Sequence, residues 1–167
     1  ALIVLAVAGY KYPETNRIAA EQRAGADYSA AETLSDDKKK DEAAAAFKKI
    51  AEEGPSGYAS LAKLQLAGAQ AKDGKTADAV ATYDALAQDS GADNLLKSFA
   101  QLQAASLRMP DADYEEIQNR LTPLAGADAT YSKSARELLG IAAYKAGKYD
   151  EASQYLEPLL IDPNASE

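Results

Sequence analysis

Residues Leu138–Leu160 read Leu-Leu-Gly-Ile-Ala-Ala-Tyr-Lys-Ala-Gly-Lys-Tyr-Asp-Glu-Ala-Ser-Gln-Tyr-Leu-Glu-Pro-Leu-Leu. Their spacing predicts a helix, a tight turn and a second helix. Leu138, Leu139, Ile141, Ala142 and Tyr144 give the first helix an apolar surface. Gly147 stops it, because glycine accepts the left-handed conformation at a helix end. Tyr149, Ala152, Leu156 and Leu159 then recur at spacings of three and four, which is one face of a second helix. Small residues at Gly140 and Ala152 are expected to face each other and let two antiparallel backbones approach closely.

A single hairpin of this kind cannot bury its own apolar face, so others should accompany it. Tyr114-Glu115-Glu116-Ile117 with Leu121, Pro123 and Leu124 repeats Tyr149-Asp150-Glu151-Ala152 with Leu156, Pro158 and Leu159 at an offset of 35. Glu42-Ala43 with Phe47 and Ile50 repeats as Asp78-Ala79 with Tyr83 and Leu86 at an offset of 36. Equivalent positions of the second helices are therefore Ala43, Ala79, Ile117 and Ala152, with gaps of 36, 38 and 35. The turns Asp73-Gly74-Lys75 and Ala146-Gly147-Lys148 also match. The leucine and small residue of the first helix, the Gly-Lys turn and the alanine of the second resemble a tetratricopeptide repeat (TPR), whose period is roughly 34 residues. The expected fold is all-α: a TPR-like helical-hairpin solenoid of about four repeats, with an apolar helix at its N-terminus.

Composition is consistent with helices and narrows the function. The chain has 167 residues, a length suited to one domain. Its hydrophobic fraction of 47% is inflated by alanine, the best helix former; with two Phe, one Met and no Trp, the core must stack helices through small side chains. No stretch reads as a strand. A net charge of −8 opposes nucleic-acid binding, which needs a basic face, and opposes broad docking on anionic lipid. There is no Cys, hence no disulfide, thiolate metal site or cysteine nucleophile, and no His, the commonest general base and transition-metal ligand.

The N-terminal run Ala1–Gly9 is uncharged and apolar, and Tyr10-Lys11-Tyr12 follows with the aromatic and basic character of a membrane–water boundary. A spanning helix needs about 20 apolar residues, so three readings stay open. The run is the second half of a membrane helix that begins upstream, a secretory signal with the small-x-small pattern Ala6-Val7-Ala8, or a buried first helix. Ordered outside a membrane, Ala1–Tyr12 would need its apolar face covered, in a groove of its own or a neighbouring chain, which would make a swapped homo-dimer.

Residues 13–167 form the repeat domain in this reading, with repeats at about 14–53, 58–88, 94–125 and 131–160. In the first repeat, helix A covers Glu14–Leu34, continuing the apolar segment or restarting at Pro13, and helix B covers Asp41–Glu53. The second pairs Tyr58–Lys72 with Thr76–Gln88, and the third pairs a short helix over Asn94–Leu107 with Asp113–Ala125. Pro123 and Pro158 are expected to bend or end their helices. The charge run Asp36-Asp37-Lys38-Lys39-Lys40 reads as a solvated turn. The chain stops without a polar capping helix, so further residues are expected after Glu167.

No catalytic grouping stands out. The glycines lie at turns rather than in a phosphate-binding loop. The adjacent carboxylates Asp36-Asp37 and Glu52-Glu53 do not face each other on a helix. Asp111 and Asp113 lack the ligand count of a calcium loop, and Glu115 and Glu116 suit the first turn of a helix. No catalytic residue, cofactor or metal site is therefore assigned, and the chain reads as a non-enzyme. Binding is the better reading, since first helices of stacked repeats line the concave face of such an array. Counted from the small residues Ala67, Ala105 and Gly140, the TPR resemblance implies a groove lined by Leu61, Leu64 and Gly68, then Phe99, Leu102 and Ser106, then Ser134, Glu137, Ile141 and Tyr144. Packing against neighbouring helices is the competing role for Leu64, Leu102 and Ile141. The clamp with which some TPR proteins grip acidic tails would fall on Tyr28, Glu32, Gln65, Phe99 and Gln103; none is basic or Asn, so an apolar or basic peptide suits this chain better.

The order of parts is similar to the bacterial ancillary subunit of the Sec translocon, a family with one N-terminal membrane helix and a periplasmic TPR domain. Leu-Ile-Val-Leu-Ala-Val-Ala-Gly-Tyr from Leu2 and Tyr-Ala-Ser-Leu-Ala-Lys-Leu-Gln-Leu-Ala from Tyr58 carry the likeness. The inner segment and half of the membrane helix are missing from it. The resemblance implies a single-pass protein of the bacterial inner membrane, facing the periplasm, non-enzymatic, with translocon subunits, periplasmic chaperones or unfolded polypeptide as partners. The alternative is a soluble assembly scaffold whose N-terminal segment packs in its own or a sister domain.

Overall fold

Gly74 and Gly147 adopt φ values of 75° and 74°, and around each the chain reverses in the same way. After Gly147, the Lys148 N–H donates to the Ala143 carbonyl at 2.9 Å and the Gly147 N–H to Tyr144 at 3.0 Å. After Gly74, Lys75 donates to Gln70 at 2.9 Å and Gly74 to Ala71 at 3.1 Å. The same pair of bonds closes the turn after the first helix, from Lys39 to Leu34 and from Lys38 to Ser35. There the left-handed position is occupied by Lys38, at φ 61°. Each turn satisfies carbonyls that a helix end leaves without partners.

The computed structural model describes the backbone of residues 2–161 and the side chains of residues 14–160. Its elements are α1 (Leu2–Asp36), α2 (Lys40–Glu53), α3 (Ser56–Lys72), α4 (Thr76–Ala87), α5 (Asn94–Arg108), α6 (Tyr114–Leu121), a 3₁₀ turn (Thr122–Leu124), α7 (Ser132–Lys145) and α8 (Tyr149–Ile161). No strand occurs among the described residues. Two compact units divide the chain, residues 1–69 and 70–167, with the boundary inside α3.

In the first unit α1 and α2 form an antiparallel hairpin, and the N-terminal part of α3 packs on it. Ala31, Ala43, Phe47, Ile50 and Ala62 form its core, flanked by Tyr28, Tyr58 and Leu66. Tyr28 meets Phe47 edge to face at 5.4 Å and Tyr58 at 6.0 Å. In the second unit α4 packs on α5, α5 on α6, α6 on α7, and α7 on α8. Leu102, Ala105, Ile117, Leu121, Leu124, Ala135, Leu139 and Ala142 are its buried cluster. The four equivalent positions of the second helices, Ala43, Ala79, Ile117 and Ala152, are all at most 4% exposed, as a period that keeps one face inward requires.

Of the two readings left open at Pro13, the continuing helix is the one observed: α1 runs unbroken from Leu2 to Asp36. Other expectations need correction. α5, with fifteen residues, is not short; it exceeds the fourteen of α7. α6 ends at Leu121, and Pro123 lies in the 3₁₀ turn that follows. Pro158 lies inside α8, which continues past it to Ile161. Gly140 lies directly under Leu156: a Cβ built on it would fall 2.5 Å from the Leu156 Cγ.

Candidate partner-binding faces

α7 presents Ser134, Glu137, Ile141 and Tyr144 at successive spacings of three, four and three, and all four side chains are exposed. The opposite face, with Ala135, Leu139 and Ala142, is sunk in the core, which fixes which side of the helix meets solvent. Ile141 is 40% exposed and Tyr144 65%. Beside Tyr144 stands Tyr149 at the start of α8, 64% exposed, with the two rings edge to face at 5.4 Å. Such a pair offers flat apolar area with two phenol groups, a combination enriched where proteins grip one another. Tyr149 is outside the residues assigned to the groove; the spacing put it on the apolar face of the second helix with Ala152, which is buried, whereas Tyr149 itself lies exposed beside Tyr144.

The other assigned positions divide. In α5 Leu102 is 7% exposed and belongs to the core, so its contribution is packing. Ser106 is exposed, and Phe99 is half-buried with its ring 5.9 Å from Tyr131. In α3 Leu61, Leu64 and Gly68 are all half-buried. They belong to the first unit, whereas the α5 and α7 residues belong to the second.

A charged network outside the assigned residues braces the second unit. Arg108 on α5 donates two hydrogen bonds to the Glu116 carboxylate on α6, both at 2.9 Å. Arg120 donates to Glu116 at 3.1 Å and to both oxygens of Asp84 on α4 at 2.7 and 3.2 Å. Hydrogen bonding from Arg108, reinforced by Arg120, lowers the Glu116 carboxyl to about 2. Neighbouring α6 and α8 are tied by the Tyr114 hydroxyl, which donates to Glu151 at 2.6 Å. Burial and that bond push the phenol upward. The bond from Tyr114 and the Lys148 ammonium, 2.9 Å away, lower Glu151. Asp113 caps α6: its Oδ1 accepts from the Glu116 N–H at 2.8 Å, a local role for one of the carboxylates weighed above as a cation ligand. No group of three or more candidate metal ligands is assembled among the described residues.

In the first unit a groove of about 520 Å³ runs between α1 and α2. Alanines floor it: Ala20, Ala24, Ala30 and Ala31 on α1, and Ala46 on α2. Arg23, Asp27, Lys49 and Glu53 line it as well.

Helical hairpins recurring at this period, closed by the same turn, define a repeat protein. The chain belongs to the tetratricopeptide repeat-like domain family, whose sequence profile matches residues 1–157. No curated protein and no solved structure matches it significantly. No helix among the described residues is long and apolar enough to cross a membrane. The expected burial or dimerisation through Ala1–Tyr12 concerns side chains outside the described residues.

Proposed function

We propose that this protein is a non-enzymatic adaptor that binds other polypeptides. TPR-like domains present helix faces to protein partners, and the observation that carries the reading is the uncovered stripe Ser134-Glu137-Ile141-Tyr144 extended by Tyr149. Exposed aliphatic and aromatic area on a rigid helix suits an apolar peptide segment. The carboxylate of Glu137, on a chain of net charge −8, favours a basic one over an acidic one.

The finer reading is that of a single-pass inner-membrane adaptor of the protein-export machinery, facing the periplasm. It would hold translocon subunits, periplasmic chaperones or unfolded polypeptide on the concave face. Its support is the apolar run Ala1–Gly9 before Tyr10-Lys11-Tyr12 and the resemblance in the order of parts. Fractionation of the natural full-length protein, with protease added to spheroplasts, tests it. Pelleting with membranes and digestion of the repeat domain support the reading. Recovery in the soluble cytoplasmic fraction overturns it in favour of a soluble scaffold.

A further inference from the structure

Among the described side chains of α1 only Ala24 and Ala31 are buried, and on the uncovered surface one row of residues is ordered as a seam. Asn16, Ala20, Arg23, Asp27, Ala30 and Leu34 follow one another at alternating spacings of four and three. That is the pattern by which one helix meets another along its length. The first five are exposed and Leu34 is half-buried; from Ala20 onward the seam borders the α1–α2 groove. The order is symmetric about the level of Gly25. Arg23 and Asp27 stand two residues either side of it, Ala20 and Ala30 five, and Asn16 and Leu34 nine.

We infer that this face docks on its counterpart in a second copy of the chain, with the two α1 helices antiparallel across a twofold axis at Gly25. The charges identify the occupant. Among the described residues neither Arg23 nor Asp27 forms an ion pair or hydrogen bond, although Arg17–Glu21 and Lys48–Glu52 do so at the same spacing of four. In the antiparallel pair Arg23 of each copy faces Asp27 of the other, so both charges gain partners twice over. A parallel pair would set Arg23 against Arg23 and Asp27 against Asp27. The flanking layers set Ala20 against Ala30, and these small side chains let the backbones approach. The seam buries few large side chains, so the dimer is weak and concentration-dependent, and the charged layers set its register and direction. This contact is separate from the α7 face and does not depend on the adaptor reading.

Sedimentation of the full chain across a wide concentration range tests it, together with R23D, D27R and the double variant. All these side chains are exposed, so helicity should be unchanged by circular dichroism. Each single change places like charges together and should weaken the dimer about tenfold or more; the double exchange should restore it. Because the chain contains no Cys, cross-linking gives a second readout. A mixture of A20C and A30C chains should form disulfide-linked pairs, and A20C alone should not. A monomer at every concentration, a dimer indifferent to both single variants, or linkage of A20C with itself would overturn the proposal. So would a dimer lost on the single changes but not restored by the double exchange.

Discussion

Lys38 occupies at φ 61° the backbone position that glycine fills in the two equivalent turns. A side chain costs about 1–2 kcal/mol in that conformation, so Lys38→Gly should stabilise the protein by about 1 kcal/mol in urea denaturation. Nothing crowds a Cβ at Gly74 or Gly147, so the cost of alanine there is conformational alone. Gly147→Ala should lower stability by about 1 kcal/mol. Gly140 poses the opposite case. Its backbone is ordinary helix, but an added Cβ would fall 2.5 and 2.6 Å from Leu156 carbons. Gly140→Ala should therefore cost about 1–3 kcal/mol by overpacking. In combination with Leu156→Ala the two losses should be less than additive, because the second change removes the obstruction. A fully additive cycle would show that Leu156 moves aside freely.

At the scale of elements, α4, α5 and α6 are held by buried apolar faces and by the carboxylate of Glu116. Ile117 and Leu139 are 1% and 0% exposed, and truncation of either to Ala should cost about 2–5 kcal/mol. The ion network gives the second unit an acid-sensitive brace. The Glu116 carboxyl is lowered from the ordinary 4.5 to about 2, so the folded state binds its proton less readily than the unfolded chain. Its contribution is present above about pH 4.5 and is lost as pH falls towards 2. Denaturation midpoints of the protein and of Glu116→Gln should differ at pH 7, converge below pH 4 and coincide near pH 2. Equal midpoints at pH 7 would mean that solvent screens the bridges. α6 was less legible in the sequence than α7 or α8. Its eight residues depend on Asp113 to start it and lose regular bonding at Pro123. Periodicity over so short a span could not separate the helix from the 3₁₀ turn.

For the whole molecule, the family assignment and the exposed α7 stripe lead to one expectation about binding. Ile141→Ser with Tyr144→Ser should leave thermal stability nearly unchanged, because both side chains are exposed. It should weaken binding of an unfolded or apolar peptide about tenfold or more. Unchanged affinity, measured by fluorescence anisotropy, would place the contact elsewhere on the chain. The groove positions counted from the repeats differ in exposure. Four α7 residues came out exposed on one side, whereas Leu102 entered the core. A register count sets the angle of a residue around its own helix. It does not say how closely the next helix leans over it.

The sequence by itself determined the helices and most of their limits, because a period near 3.6, glycine at the reversals and alanine at the equivalent positions are local or repeating signals. It also determined the family, which the repeating positions carry along nearly the whole chain. Only the tertiary structure decided what each face meets. It set Leu156 over Gly140, joined Arg108, Glu116, Arg120 and Asp84 across three helices, left Arg23 and Asp27 without partners among the described residues, and placed Tyr149 against Tyr144. Most of these depend on residues brought together from different helices, with contacts as far apart as 36 positions between Asp84 and Arg120. Their free energy lies in distance, angle and burial, which spacing along a chain does not encode.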